Sequence, residues 1–369
     1  MFTEEHLYSI ALRKCSNLGD ISFKKFIKAF GSAENIWKED KSHLLSIEGI
    51  NRNAIAEIGN LPNLKFAENE ITFCQQNNVS ILLKHQSQLP YYLAECIDAP
   101  AILYLKGKIN PNLQPVSIVG TRNTTTYGKK FVDDFLQKLP QKSTITISGL
   151  AHGVDTEVHE KSIENNIPTI AVLAHGFQTL YPAANRKLAQ TILDNNGALI
   201  TEFNSSQKPD RKHFLQRNRI VAGISRNTII VETAFGGGSI STATFANNYN
   251  REVYALPGKI TDKHSQGCNH LIFQNKAIAI STIPDLINSL GFKEKQTSMP
   301  ELFPSTEVKI ELSDQQKLVY QTIAENPTIS LDDLSEKTEL LSYELLPILL
   351  ELEISKLIKS FSGRKFSTL

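Results

Sequence analysis

Several features that would mark particular classes of protein are missing from this sequence. The cysteines are few and far apart, with no CxxC pair, so neither a disulfide framework nor a structural zinc site is expected. No apolar run approaches the roughly 20 residues that a membrane-spanning helix needs. The first residues carry charges where a secretory signal would need an apolar stretch. We therefore expect a cytoplasmic protein with reduced thiols, no metal and no cofactor; the thiols are Cys15, Cys74, Cys96 and Cys268.

A strong overall charge is also absent. The net charge is +1, so any attraction for a polyanion must come from local clusters of cations. The length of 369 residues exceeds one ordinary hydrophobic core and suggests two or three domains. From changes in pattern we predict a helical domain over 1–70, an α/β domain over 80–291, a linker over 292–310 and a winged-helix-like domain over 311–369.

The central segment alternates short apolar runs with amphipathic stretches. This alternation predicts a parallel sheet with helices on both faces. We therefore expect an α/β fold with an extended, Rossmann-like, doubly wound and mostly parallel sheet, flanked by a small all-α domain and a winged-helix-like domain. The predicted strands are Ser80–Leu83, Ala101–Leu105, Val116–Val119, Ile145–Ser148, Thr169–Leu173, Ala198–Glu202, Thr228–Val231 and Val253–Leu256.

Small-residue loops follow these strands and would gather at one edge of the sheet, where ligands bind in such folds. The first loop, Gly120–Asn123, lacks the G-x-G-x-x-G pattern, and no P-loop spacing follows it. NAD-dependent chemistry and ATP hydrolysis are therefore disfavoured. Arg122 either caps a surface turn or clamps a phosphate, and its place at the end of a strand favours the phosphate clamp.

A second cluster of cations runs from Arg211 to Arg219 and contains one aromatic ring, Phe214. A solvated helical face would explain the charges, and Phe214 could be a core anchor. Alternatively, Phe214 is a platform on which a base stacks. Arg217 and Asn218 belong to the same predicted site, either contacting a ligand or bracing the loops.

These motifs together resemble the DNA-processing protein A (DprA/Smf) family. The similarity runs in order from about residue 80 to 290, through Ser117–Arg122, Ser148–Asp155, Phe214 with Arg217–Ile220, Gly238–Ala243 and Pro257–Gly258. The resemblance implies a Rossmann-like protein that binds single-stranded DNA, forms a homodimer and hands incoming transforming DNA to the recombinase RecA. The implied DNA-binding residues are Thr121, Arg122, Ser148, Gly149, Arg211, Lys212, Phe214, Gly237, Gly238 and Ser239, to which we add Arg217 and Asn218.

The sequence departs from the family pattern at three positions. His152 replaces a usual arginine, while Gly237 and Thr121 each replace a usual serine. We expect these changes to alter the affinity for DNA, and the resemblance to the family still holds.

The two terminal segments resemble nucleic-acid-binding modules of known type. Leu44–Ala54 looks like a helix-hairpin-helix, which either contacts DNA or only packs. The predicted recognition helix of the winged helix, Tyr343–Glu353, is acidic and would repel phosphates. We therefore favour an interaction or regulatory role for that domain over DNA binding.

An enzyme is the main alternative function. Lysine-decarboxylase-like phosphoribohydrolases, which cleave nucleoside monophosphates, use a glycine loop followed by a catalytic glutamate. Here the loop Gly236–Thr244 contains no carboxylate, and Glu232 lies before it. We therefore expect a non-enzymatic DNA-binding protein.

Overall fold

The computed structural model describes residues 2–292, 312–326, 328–355, 357–361 and 364–368. They belong to two compact units, Met1–Lys295 and Gln296–Leu369. The first unit starts with amphipathic helices, as the helical spacing of Leu7 and Ile10, and again of Phe23 and Phe26, predicts. These helices are α1 Glu4–Lys14, α2 Asp20–Phe30, α3 Ala33–Lys38, α4 Lys41–Leu45, α5 Arg52–Ile55 and α6 Leu61–Gln76.

Strands and helices then alternate through the rest of the first unit. The strands are β1 Val79–Leu83, β2 Ile102–Gly107, β3 Gln114–Val119, β4 Thr144–Ser148, β5 Thr169–Val172, β6 Ala198–Thr201, β7 Asn227–Ile230, β8 Glu252–Ala255 and β9 Ile278–Ala279. The helices between and after them are α7 Tyr91–Glu95, α8 Thr126–Lys138, α9 Val154–Glu164, α10 Arg186–Asp194, α11 Arg211–Gly223, α12 Gly238–Asn248, α13 Gln266–Phe273 and α14 Ile283–Ser289. Each predicted strand is therefore confirmed, and β9 is an addition at the edge.

In the described part of the chain, these strands form one sheet in the order β1-β2-β6-β5-β4-β3-β7-β8-β9. From β6 to β9 every neighbouring pair is parallel, while β2 runs antiparallel to both β1 and β6. The chain winds outward from β3 to β6 and then returns to β7 beside β3. Loops after β3 and β7 therefore diverge and leave a crevice at the carboxyl ends of these strands.

Two hydrophobic cores cover the two faces of the sheet. On one face Val119 and Ile230 pack with residues of α7, α11, α12 and α13. On the other, the neighbouring Ile118 and Ile229 pack with residues of α8, α9 and α14. Consecutive strand residues point to opposite faces, so burial on both faces requires the continuous apolar runs seen in the sequence.

The amino-terminal helices share a third core with the antiparallel strands of the same unit. Phe26 and Leu12 of the helices pack in one cluster with Ile81 and Tyr104 of β1 and β2. A domain boundary between residues 70 and 80 consequently stays a prediction. The predicted linker 292–310 lies outside the described residues except for Phe292, which is buried.

The second unit contains the helices and wing that the sequence predicts. Its helices are α15 Asp314–Glu325, α16 Leu331–Thr338 and α17 Ser342–Ile354, and its small sheet joins β10 Ile329–Ser330, β12 Lys365–Thr368 and β11 Ile358–Phe361 in that order. Across all described residues, we find no helix with the length and apolar character required to span a bilayer.

Candidate nucleic-acid interface

A cleft of about 790 Å³ lies at the carboxyl ends of β3 and β7, where the order of the sheet reverses. The loops that follow β3, β4, β7 and β8 line it, together with the first turns of α11 and α12. The structure brings most of the predicted site residues to this cleft: Thr121, Arg122, Gly149, Arg211, Phe214, Arg217, Asn218, Gly237, Gly238 and Ser239.

Two of the predicted residues do not line the cleft. Ser148 is fully buried, and its hydroxyl donates a hydrogen bond to the carbonyl of Ile118 at 2.7 Å. This hydroxyl therefore joins β4 to β3, and a contact between Ser148 and a ligand stays a prediction. Lys212 is exposed in the first turn of α11, beside the cleft and outside its lining.

Phe214 sits among cations in the cleft. The guanidinium carbon of Arg122 lies 5.4 Å from the centre of its ring, and that of Arg217 lies 5.8 Å away. Tyr181 contacts the ring edge-on, with 5.6 Å between centroids. Such cation–π contacts hold Arg122 over a half-buried ring that still borders the cleft. The ring and the arginine therefore form one surface that suits a base next to a phosphate.

Arg217 braces the floor of the cleft. It is buried, and its Nη1 donates to the carbonyl of Gly149 at 2.5 Å and also to that of Val172. A Cβ at position 149 would lie 2.5 Å from that nitrogen, so any larger residue there would displace the guanidinium. Burial lowers the pKa of Arg217 to about 10, which leaves it charged at neutral pH. Arg217 thus contributes charge and rigidity together.

The turn before α12 offers backbone amides to a ligand. Gly236 has φ of 69°, and a Cβ at Gly238 would meet no atom within 4 Å. The side-chain amide of Asn218 donates to the carbonyl of Gly238 at 3.2 Å and to the hydroxyl of Ser241 at 3.0 Å, which fixes the turn against α11. Among the described residues, the buried hydroxyl of Ser239 has no hydrogen-bond partner. An anion at the start of α12 would accept from this hydroxyl and the first amides.

The loop that carries Arg122 is held by a second special glycine. Gly153 has φ of 82°, and a Cβ there would collide with the backbone of Thr121 and Arg122. The next residue, Val154, donates its amide to the carbonyl of Thr121 at 3.1 Å. The start of α9 therefore fixes the position of the loop that carries Arg122.

The structure adds cleft residues that the sequence did not single out, among them Tyr181, Lys263 and His264. Nδ1 of His264 is 3.5 Å from the hydroxyl of Thr121, and Lys263 is exposed. Both residues follow β8, whose carboxyl end lies at the same edge of the sheet. The predicted strand Val253–Leu256 was therefore sufficient to place the residues after it near the cleft. Tyr181 comes from a loop after β5, and its approach to Phe214 had no local signal.

A parallel sheet whose switch point carries guanidinium groups, an aromatic ring and an open helix start defines a Rossmann-like fold with a candidate anion-binding cleft. Comparison with known proteins makes this more specific. Residues 80–291 match the family described as DNA recombination-mediator protein A, and residues 303–364 match the DprA winged helix domain.

Relatives and solved structures agree with these matches. Protein Smf of Synechocystis is 30% identical over 402 aligned positions, which cover 99% of each chain. DNA processing protein DprA of Streptococcus pneumoniae is 37% identical over 204 positions, covering 55% of this chain and 71% of that protein. An X-ray structure of the S. pneumoniae protein superimposes with a TM-score of 0.62 at 27% identity, covering 78% of this chain and 98% of that one.

A structure of DNA processing protein A from Helicobacter pylori, described for its single-stranded DNA binding mode, gives a TM-score of 0.52. Its identity to this chain is 29%, over 57% of this chain and 95% of that one. The chain belongs to the DNA recombination-mediator protein A (DprA/Smf) family, and its carboxyl-terminal segment is a DprA winged helix domain.

Proposed function

We propose that this protein binds single-stranded DNA in the cleft between β3 and β7, without strong sequence preference. In this proposal it protects incoming DNA in the cytoplasm during natural transformation and loads the recombinase RecA onto it. Support comes from family membership and from the H. pylori relative whose structure is described for single-stranded DNA binding.

One observation carries the proposal: Phe214 lies beneath Arg122, and the open turn of Gly236–Gly238 lines the same cleft. The ring offers a stacking surface for any base, because every base has a flat face. The guanidinium and the amides at the start of α12 donate hydrogen bonds to phosphates. None of these groups depends on which base is present, and a base inside a duplex would not be free to stack on the ring.

A direct test compares a single-stranded oligonucleotide with a duplex of the same length by fluorescence anisotropy over a range of salt concentrations. The single strand should bind more tightly, with affinity falling as salt rises because phosphate contacts release counterions. Equal or tighter binding to the duplex would contradict the proposal.

The phosphoribohydrolase alternative needs a carboxylate placed for acid–base chemistry. Within the described residues, the acids that line the cleft are Asp155 and Asp210. Asp155 is buried and accepts from the amide of Ala151 at 3.2 Å; burial raises the pKa of Asp155 while the charge of Arg217 lowers it. Asp210 caps α11. These structural ties favour a protein that binds without catalysis.

Glu232, which precedes the glycine loop, is tied to the start of α8. Its carboxylate accepts from the amide of Thr125 at 2.9 Å and from the hydroxyl of that residue at 2.5 Å. Incubating the protein with nucleoside monophosphates and measuring free base checks the enzymatic alternative. Release of base at a rate abolished by a substitution in the cleft would favour the hydrolase.

We also propose a homodimer. Phe235, Ile260 and Phe273 are 61%, 84% and 83% exposed and border one shallow hollow. Large apolar side chains grouped in this way are typical of an interaction surface. Phe273→Asp should convert a dimer to a monomer in sedimentation, while an unchanged mass would remove this surface from consideration.

For the second unit we propose protein contact rather than DNA binding. α17 contains no lysine or arginine, and its exposed side chains are mainly apolar and acidic. They include Tyr343, Leu346, Leu350 and Glu351. This surface lacks the cations that phosphates require.

A further inference from the structure

A second cavity, of about 490 Å³, lies within the first unit between the amino-terminal helices and β6. Its size falls in the range of roughly 300–1,000 Å³ that is usual for small-ligand sites. We call it the Glu202 cavity. The residues that matter for its chemistry are Arg13, Lys14, Phe66, Glu202, Phe203 and His213.

The Glu202 cavity contains a buried carboxylate with one unused oxygen. The side chain of Glu202 is 4% exposed, and its Oε2 accepts from Arg219 and, at 3.0 Å, from Gln216. Within the described residues, Oε1 of Glu202 and Nδ1 of His213 are buried and have no partner. Burial raises the pKa of Glu202 to about 7, so Oε1 is an acceptor in the carboxylate form, which predominates above pH 7. Since a buried acceptor without a partner is costly, a ligand that brings a hydrogen-bond donor to Oε1 would be stabilised there.

Aromatic rings and cations surround this acceptor. The rings of Phe203 and His213 are 4.4 Å apart, and Nζ of Lys14 lies 4.5 Å from the ring centre of Phe66. Lys14 is exposed, and Arg13 is partly exposed while paired with Asp20 at 3.3 Å. A flat donor-bearing group with an attached anion fits this combination, and a nucleotide has both parts.

The segment from Gln207 to Phe214, which we call the ridge, contributes residues to the linings of both the Glu202 cavity and the cleft. Along it, Gln207 and His213 line the Glu202 cavity, whereas Pro209 to Arg211 and Phe214 line the cleft. Lys208 and Lys212 line neither cavity, and both are exposed on the ridge. Phosphates of a strand that crosses the start of α11 would meet these two lysines.

We propose that the Glu202 cavity receives one nucleotide of the strand bound in the cleft, whose base donates an amino hydrogen to Oε1 of Glu202. This inference rests on the proposed single-stranded DNA binding. Cytosine, adenine and guanine carry such an amino group, and thymine does not. The base packs against Phe203 and His213, and its phosphate lies near Lys14.

Photochemical crosslinking tests the position directly. Oligonucleotides that carry 5-iodo-deoxycytidine or 5-iodo-deoxyuridine at every position differ in the amino group, and irradiation joins either base to an aromatic side chain in contact. Peptide mapping by mass spectrometry should find Phe214 with both oligonucleotides. It should find Phe203 or Phe66 mainly with the cytidine form. Crosslinks restricted to Phe214 would overturn the inference and leave the cleft intact, whereas loss of the Phe214 crosslink would count against the proposed function.

Binding measurements on the full chain give a second, independent result. At pH 8, where Glu202 is mainly a carboxylate, the wild-type protein should bind oligo-dC about 3- to 10-fold more tightly than oligo-dT, as one net hydrogen bond allows. Glu202→Gln should bring this ratio close to one, because a carboxamide can donate to O4 of thymine as well as accept from the amino group of cytosine. Arg122→Ala should weaken both oligonucleotides alike and preserve the ratio. Lys14→Ala should weaken binding, in contrast to the control Lys28→Ala, an exposed lysine of α2 that does not line the Glu202 cavity. An unaltered ratio in Glu202→Gln, or equal effects of the two lysine substitutions, would contradict the inference.

Discussion

Phe214 and Arg122 contact each other, yet they should contribute to DNA binding through two interactions, base stacking and phosphate pairing, that respond differently to salt concentration. Stacking of a base on an aromatic ring is worth about 1–3 kcal/mol and depends little on ionic strength, so Phe214→Ala should weaken binding about 5- to 150-fold at every salt concentration. The centre of the ring also lies 5.4 Å from the guanidinium carbon of Arg122 and holds that side chain in place. Because Phe214→Ala would remove this support too, we expect a loss of affinity greater than the lower figure of about 5-fold.

Arg122→Ala should behave differently, because a guanidinium that pairs with one phosphate releases counterions on binding. For single strands each such contact contributes about 0.7 to the slope of log affinity against log salt. The variant should therefore lose more affinity at low salt than at high salt, by about 2.6-fold over a fourfold range of concentration.

Fluorescence anisotropy with labelled oligo-dT, at several salt concentrations, measures both effects. Phe214→Trp should restore most of the affinity, and Tyr91→Ala, which removes an exposed ring of α7, is the matched control. If Phe214→Ala changes the slope and Arg122→Ala does not, or if Phe214→Ala binds like the wild type, the assignment of stacking and phosphate contact is refuted.

Three further predictions concern stability and the second unit. Gly153→Ala should lower the free energy of unfolding by about 1–3 kcal/mol or more, since φ is 82° and the new Cβ would collide with the Arg122 loop. Gly238→Ala, where a Cβ meets open space, should leave thermal unfolding almost unchanged. Equal effects of the two substitutions would contradict the argument. Burial raises the pKa of Glu202 from 4.5 to about 7 in the folded protein, so the free energy of unfolding should fall by about 3 kcal/mol as pH rises from 4.5 through 7. Glu202→Gln should remove this component in denaturant titrations at pH 5 and pH 8. An identical pH dependence in both proteins would exclude Glu202 as its source. Leu346→Asp with Leu350→Asp should leave oligo-dT affinity within about twofold in anisotropy titrations, because α17 contains no lysine or arginine to contact phosphates. A tenfold loss would assign DNA binding to that helix.

The sequence predicted the sheet well because strands buried on both faces need continuous apolar runs, and a short run such as Ile145–Ser148 is typical of that environment. The same rule located the cleft, since loops after parallel strands meet at one edge. It could not decide which way each side chain of a loop points. Ser148 turned inward to a carbonyl of β3, and Lys212 stayed on the ridge.

Contacts between distant segments were also beyond the reach of the sequence pattern. Tyr181 reaches the ring of Phe214 from another loop, and the Glu202 cavity joins Arg13 of α1 to the end of β6. No periodicity or motif links positions so far apart along the chain. Such sites depend on how helices outside the sheet pack against it, which local propensity does not determine.

The position of Arg217 has a consequence for the electrostatic potential that an approaching strand experiences. Dissolved ions shield exposed groups such as Arg211 and Lys263 readily, but they shield a buried cation much less. Part of the attraction should therefore persist in concentrated salt, where mobile surface cations have lost their influence. The protein would then keep a residual affinity for a polyanion under conditions that abolish encounters steered by its surface.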